Sequence, residues 1–176
     1  MKTTGLTINE DLVVFGASGN TGMFAVQLGK RLGANVIAVS RRSWLEDFGA
    51  DHVVDLDHAV EKIKEVTLGK MADVVLNSIG SETWSTSFEA LGSNGRLVFF
   101  GTLTGGTVNL ALDKMYGKQQ GIIGTTGGTR KELKDLIAIA KTLKVKIWKK
   151  YKLEDGVAAL KTLSSEERDG RTLIEL

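Results

Sequence analysis

The run Leu12-Val13-Val14-Phe15 opens directly into Gly16-Ala17-Ser18-Gly19-Asn20-Thr21-Gly22, and no other stretch restricts the fold as strongly. The apolar run reads as a buried strand over residues 11–15. Behind the turn, Ala25, Leu28 and Leu32 recur at helical spacing, which predicts a helix from Thr21 to Leu32 that buries these three residues, ended by Gly33. Strand, tight glycine turn and helix in immediate succession have a specific chemical use. The glycines let the backbone approach a pyrophosphate, and the helix presents free amides and the positive end of its dipole. The loop is spelled Ala-x-Gly-x-x-Gly, without the first glycine of the common pattern, but its context is the one the mechanism requires. Ser18, Gly19, Asn20, Thr21 and Gly22 are therefore the first candidate cofactor-binding residues.

The same alternation continues. Asn35 to Val39 reads as a second strand, Val53-Val54-Asp55 as a third, Asp73 to Asn77 as a fourth, Gly95 to Phe100 as a fifth and Gln119 to Gly124 as a sixth. Between them, Ala59 to Thr67 carries Val60, Ile63 and Thr67 on one helical face, and Trp84, Phe88 and Leu91 stand at i, i+4 and i+7. Thr129 and Glu132 have capping-box spacing ahead of the apolar stripe Leu133, Leu136, Ile137 and Ala140. Buried strands alternating with amphipathic helices predict an α/β fold: a doubly wound parallel sheet of about six strands with helices on both faces. Toward the end, Ile147 to Tyr151 reads as a short strand. Leu153 to Leu163 reads as a helix with Leu153, Val157 and Leu160 inward, and Arg171 to Glu175 as a last strand. The expected division is a nucleotide-binding domain over 1–151 and a C-terminal segment over 152–176.

The end of the second strand lies about twenty residues past the glycine loop, where a carboxylate would hold the ribose hydroxyls of NAD. Here the chain reads Ser40-Arg41-Arg42. A carboxylate would repel a 2'-phosphate, whereas guanidinium groups hydrogen-bond it with charge assistance. The implied cofactor is NADP(H). Either arginine alone is equally well explained as a solvated surface charge; the missing carboxylate makes the pair informative. Asn77, at the end of the fourth strand, and Gly101-Thr102-Leu103, after the fifth, lie at the carboxyl edge where doubly wound sheets bind ligands, so they too are candidates.

Composition narrows the chemistry. The 176 residues suit one domain, and 23 basic against 21 acidic side chains leave a net charge of +2, which argues for neither nucleic acid nor a membrane surface as partner. With no cysteine, and only His52 and His58 as histidines, thiolate catalysis and a metal site are not expected. No run approaches the roughly 20 apolar residues of a membrane span, and the start lacks the apolar core of a signal peptide, so a cytoplasmic location is expected. Trp44, Trp84 and Trp148 read as packing residues.

Taken together, Gly16 to Gly22, Gly33-Ala34, Gly49-Ala50-Asp51-His52-Val53-Val54-Asp55, Gly95-Arg96-Leu97-Val98 and Gly101 resemble the medium-chain dehydrogenase/reductase superfamily. The loop is most similar to that of its quinone oxidoreductases and related alcohol dehydrogenases. The resemblance implies an oxidoreductase that passes hydride to or from a carbonyl, enone or quinone. It also implies a catalytic domain ahead of the nucleotide domain, and this chain opens just before the first nucleotide-binding strand. Residues from Lys152 resemble the segment that returns to the catalytic domain, so the last strand is expected to be mobile or swapped. The chain alone is expected to supply binding rather than turnover, with no catalytic residue of its own. A homodimer joined along the sixth strand, Gln120 to Gly124, is likewise implied. Leu56 stands where many quinone reductases place an aromatic residue against the adenine. A short-chain dehydrogenase fits less well, because Gln120 occupies the place of the lysine four residues after Tyr116. A methyltransferase would want an acidic residue where Ser40 sits. A noncatalytic nucleotide-binding module for regulation or assembly is the alternative from another class.

Overall fold

A computed structural model describes residues 1–165 and 167–176. Its elements are β1 (Asp11–Phe15), α1 (Gly22–Arg31), β2 (Asn35–Val39), β3 (His52–Val54), α2 (Ala59–Val66), β4 (Ala72–Asn77), α3 (Trp84–Glu89), β5 (Leu91–Phe99), α4 (Leu112–Gly117), β6 (Gly121–Gly124), α5 (Arg130–Ile139), β7 (Ile147–Lys152), α6 (Gly156–Lys161) and β8 (Arg171–Glu175). The first six strands form one sheet in the order β3-β2-β1-β4-β5-β6. Every pairing in it is parallel. The strand order reverses between β1 and β4, so a crevice opens beyond Phe15 and Asn77, at the carboxyl ends of the two central strands.

Successive strand residues point to opposite faces, and each face has its own core. Leu12, Val14, Val36, Ala38, Val74 and Leu76 pack with Ala25 and Val26 of α1. Val13, Phe15, Ile37, Val39 and Val75 pack with Ala59 and Ile63 of α2 and Trp84 of α3. All five residues of β1 are buried, as expected of a strand covered by helices on both sides. The expected fold class is the observed one. No described helix is long and apolar enough to cross a membrane.

At the amino ends of the strands, Arg96 ties the opening segment down. Its Nε donates to the Thr4 carbonyl at 2.6 Å, and its Nη2 lies 2.9 Å from Glu10 Oε1. Burial, the largest single influence, pushes the Glu10 carboxyl up, but the Thr7 amide and Arg96 together hold it below its ordinary value.

Several local expectations differ from the structure. Leu32, at the end of α1, is 46% exposed rather than buried, because it caps the helix beyond the sheet-facing Ala25 and Val26. The periodicity through Leu91 does not extend the third helix, because α3 stops at Glu89 and Leu91 begins β5, pairing with Ala72 before a register shift to Val74–Arg96. Leu91 is fully buried there, so its apolar character served a strand rather than the helix stripe. The expected helix over 153–163 is α6 flanked by 3-10 turns at Leu153–Asp155 and Thr162–Ser164, and along it Leu153, Val157 and Leu160 face outward, 63%, 70% and 67% exposed, while Ala159 of α6 is turned inward. The α5 stripe is exposed as well, at Leu133, Leu136 and Ile137, although the Thr129–Glu132 capping box that opens α5 forms as expected. Finally, β8 pairs in parallel with β7, so the last strand has its partner within the chain.

Candidate functional site

The crevice is built from the glycine loop upward. Gly16 takes a left-handed φ of 71°, turning the chain out of β1. The Gly19 amide donates to the Gly16 carbonyl at 2.9 Å, closing the turn. Gly22 is where α1 packs on that turn: a Cβ there would lie 2.1 Å from the Gly16 oxygen and 2.7 Å from Ala17 Cα. Only hydrogen fits, which is the close helix–strand approach the third glycine of such a loop provides. Thr21 caps α1 without a side-chain hydrogen bond. Among the described residues, the amides of Asn20, Thr21 and Gly22 donate to no protein acceptor. These amides and the positive end of α1 make a cradle fit for a pyrophosphate.

Beside the loop, at the carboxyl end of β2, the Ser40 amide donates to the Val54 carbonyl at 2.8 Å and its Oγ accepts from the Arg42 amide at 3.1 Å. This turn places Arg41 outward, exposed and without a hydrogen bond or ion pair among the described residues. Arg42 behaves differently. Its Nη2 donates to the Arg168 carbonyl at 2.8 Å, and its Nε lies 3.4 Å from Asp169 Oδ1. The same Oδ1 accepts from Trp44 Nε1 at 2.7 Å.

A cleft of about 640 Å³ runs along these elements. Ser18, Ser40, Arg41 and Arg42 line it, together with Phe15, Gly16, Val39, Ile79 and Thr83. Asp55, Leu56 and Asp57 supply the side beyond β3, so Leu56 does reach the cleft. Hydrogen bonding from His58, whose Nδ1 is 3.0 Å from Oδ1, holds the Asp55 carboxyl below its ordinary value. The wall is therefore of mixed charge. Leu163, Ser164, Ser165 and Arg168 complete it from the C-terminal segment. None of these four is among the candidates read from the sequence, because no local pattern marks them.

The remaining candidates are arranged less directly. Asn77 is 0% exposed and lies beneath the crevice. Its Nδ2 donates to Thr83 Oγ1 at 3.1 Å and Ser87 Oγ at 3.0 Å, while its Oδ1 accepts from the amides of Ile79 and Gly80, both at 2.9 Å. It shapes the loop that carries Ile79. Gly101 presses on that loop, since a Cβ there would lie 2.3 Å from the Ser78 oxygen. Thr102 is exposed, Leu103 is 87% exposed, and neither lines the cleft.

A family model described as zinc-binding dehydrogenase matches residues 21–142. Quinone oxidoreductase 1 of Escherichia coli K12 is 30% identical, over 98% of this chain and 59% of that protein. An enzyme named NAD-dependent alcohol dehydrogenase from Sulfolobus acidocaldarius is 29% identical, over 100% of this chain and 53% of its own length. The structure of a cobalt- and zinc-bound thermostable alcohol dehydrogenase from Pyrobaculum aerophilum superposes with a TM-score of 0.88 at 38% identity, covering 99% of this chain and 53% of that one. The chain thus spans little more than half the length of the relatives it matches. The family's name implies zinc, yet the chain has no cysteine and the described residues contain no group of three or more His, Asp or Glu placed to hold a metal ion. The residues present do not fit that metal, whereas the glycine cradle does fit a dinucleotide. With sheet order, loop geometry and family match in agreement, the chain belongs to the zinc-binding dehydrogenase family of the medium-chain dehydrogenase/reductase superfamily, where it matches the cofactor-binding domain of alcohol dehydrogenases and quinone oxidoreductases.

Proposed function

We propose that this chain binds NADP(H), in preference to NAD(H), for an oxidoreductase acting on a carbonyl, enone or quinone. The bound cofactor supplies the hydride chemistry. The chain's own residues hold and orient it: the amides of Asn20, Thr21 and Gly22, in the loop shaped by Ser18 and Gly19, meet the pyrophosphate, and Ser40, Arg41 and Arg42 meet the adenosine ribose and its 2'-phosphate. Gly101 to Leu103 and the Asn77-shaped loop guard the nicotinamide end. The observation that carries the phosphate reading is Arg41, exposed at the carboxyl end of β2 on a cleft shared with the glycine loop. Relatives named for NAD stand among the matches, so the preference rests on these side chains alone. Titration with both reduced cofactors tests it. Arg41→Ala is expected to weaken NADPH binding about tenfold, the worth of one charge-assisted hydrogen bond, and to leave NADH unchanged. If neither Arg41→Ala nor Arg42→Ala alters the preference, the phosphate assignment is wrong.

Two partners belong to the same reading. A catalytic domain covers residues 152–176; the exposure of the apolar Leu153, Val157 and Leu160 supports this reading, while β7 and β8 pair across the division at 151/152. A second copy pairs along β6, in the cytoplasm. β6 is an outer strand of the sheet, with Leu112 and Tyr116 of α4 exposed beside it. Sedimentation velocity at micromolar concentration should give the mass of a dimer; a monomer persisting at high concentration would reject this interface.

A further inference from the structure

The C-terminal contact at Arg42 bears on how the cleft tells one nucleotide from another. Asp169 reaches it from far along the chain. Its Oδ1 accepts from Trp44 Nε1 at 2.7 Å and lies 3.4 Å from Arg42 Nε. Trp44 is a firm anchor, packed on Phe48 with ring centroids 4.9 Å apart and set against the core beneath β1 and β2. Arg42 is thereby drawn toward the C-terminal segment, with its Nη2 on the Arg168 carbonyl. The neighbouring Arg41 carries no such tie among the described residues.

We propose that Asp169 is a specificity-determining residue: its carboxylate and a nucleotide 2'-phosphate compete for the Arg42 guanidinium. The proposal rests on the reading of this cleft as the NADP(H) site. Arg41 meets the phosphate first. Arg42 joins only as its pair with Asp169 is exchanged for the stronger, more highly charged phosphate contact, while Asp169 keeps its hydrogen bond to the indole. A nucleotide without the 2'-phosphate offers Arg42 no replacement anion and leaves the pair intact. Preference for NADP(H) is accordingly smaller than two unencumbered arginines would give. The pair is partly solvated, with side chains 28% and 33% exposed, so its effect is modest.

Asp169→Asn tests this, because asparagine keeps an oxygen acceptor for Trp44 while removing the charge. The full chain is titrated with NADPH, NADH and 2',5'-ADP, and the indole N–H resonance of Trp44 is followed by NMR. The expected result is that Asp169→Asn tightens NADPH and 2',5'-ADP by about threefold with NADH unchanged. The gain should vanish in the Arg42→Ala background, which separates competition for Arg42 from the mere loss of a nearby negative charge. In the unsubstituted chain, NADPH and 2',5'-ADP should move the Trp44 resonance and NADH should leave it in place. An unchanged or reduced NADPH-to-NADH ratio in Asp169→Asn overturns the proposal, as does a gain that survives Arg42→Ala or an equal Trp44 response to both dinucleotides. Those results leave the cofactor reading standing, whereas failure of every nucleotide to bind the unsubstituted chain rejects both.

Discussion

Replacing Gly22 by alanine is expected to destabilise the chain by about 3 kcal/mol or more and to lower dinucleotide affinity at least tenfold. The direction is diagnostic, because helix propensity alone favours alanine over glycine by about 1 kcal/mol. The added methyl would stand 2.1 Å from the Gly16 oxygen, 2.7 Å from Ala17 Cα and 2.8 Å from the Ala17 carbonyl carbon. All three are backbone atoms of the turn, so no side chain can swing away. Either α1 must lift off the loop or the loop must open, and both displace the amides that the pyrophosphate needs. Urea melts should show a lower midpoint at unchanged slope, and NADPH titration should show the lost affinity. Retention of full stability would mean that α1 and the loop are not packed as described. By contrast, a Cβ at Gly19 meets only the Gly16 oxygen, at 3.1 Å, so the tight point of this loop is its last glycine.

Asn77→Ala should cost about 3 kcal/mol, through loss of polar partners rather than loss of volume. The side chain is fully buried, and all of its hydrogen bonds stay within the loop and helix that follow β4. Truncation leaves the Ile79 and Gly80 amides without their acceptor, while the Thr83 and Ser87 hydroxyls can reorient. The amides therefore carry most of the cost. Ile79 and Thr83 both line the cleft, so nucleotide affinity should fall together with the urea midpoint. An Asn77→Ala chain with normal stability and weakened binding would instead show that Asn77 contacts the nucleotide directly.

This division of labour shows where the residues alone were informative. Asn77 was visible as a polar residue ending an apolar strand, and its position at the carboxyl edge was correctly expected. Its hydrogen bonds to the following loop were not legible, because a side chain that binds a ligand and one that braces a loop leave the same mark in a sequence. Leu91 illustrates a similar ambiguity. Its apolar side chain satisfied helical spacing from Trp84 and equally satisfied the buried start of β5, where the Ala72 amide bonds to the Ala90 carbonyl. Around α6, periodicity points Leu153, Val157 and Leu160 inward, but Ala159 lies against the rest of the chain and these larger residues face out. Periodicity identifies an apolar face without saying which surface covers it.

What the sequence determined by itself was what short-range physics controls: the alternation of strands and helices, the glycine loop between β1 and α1, the Thr129 capping box and the absence of a carboxylate at Ser40-Arg41-Arg42. Each depends on residues a few positions apart, whose spacing is directly readable. Tertiary structure decided what long separations control. Trp44 and Asp169 are 125 residues apart, and Arg42 meets the Arg168 carbonyl across 126. These contacts form because the pairing of β7 with β8 returns the chain end toward β2, and no local propensity encodes that return. The sequence therefore showed two arginines beside a pyrophosphate loop, and only the folded chain revealed that one of them is already held by an aspartate.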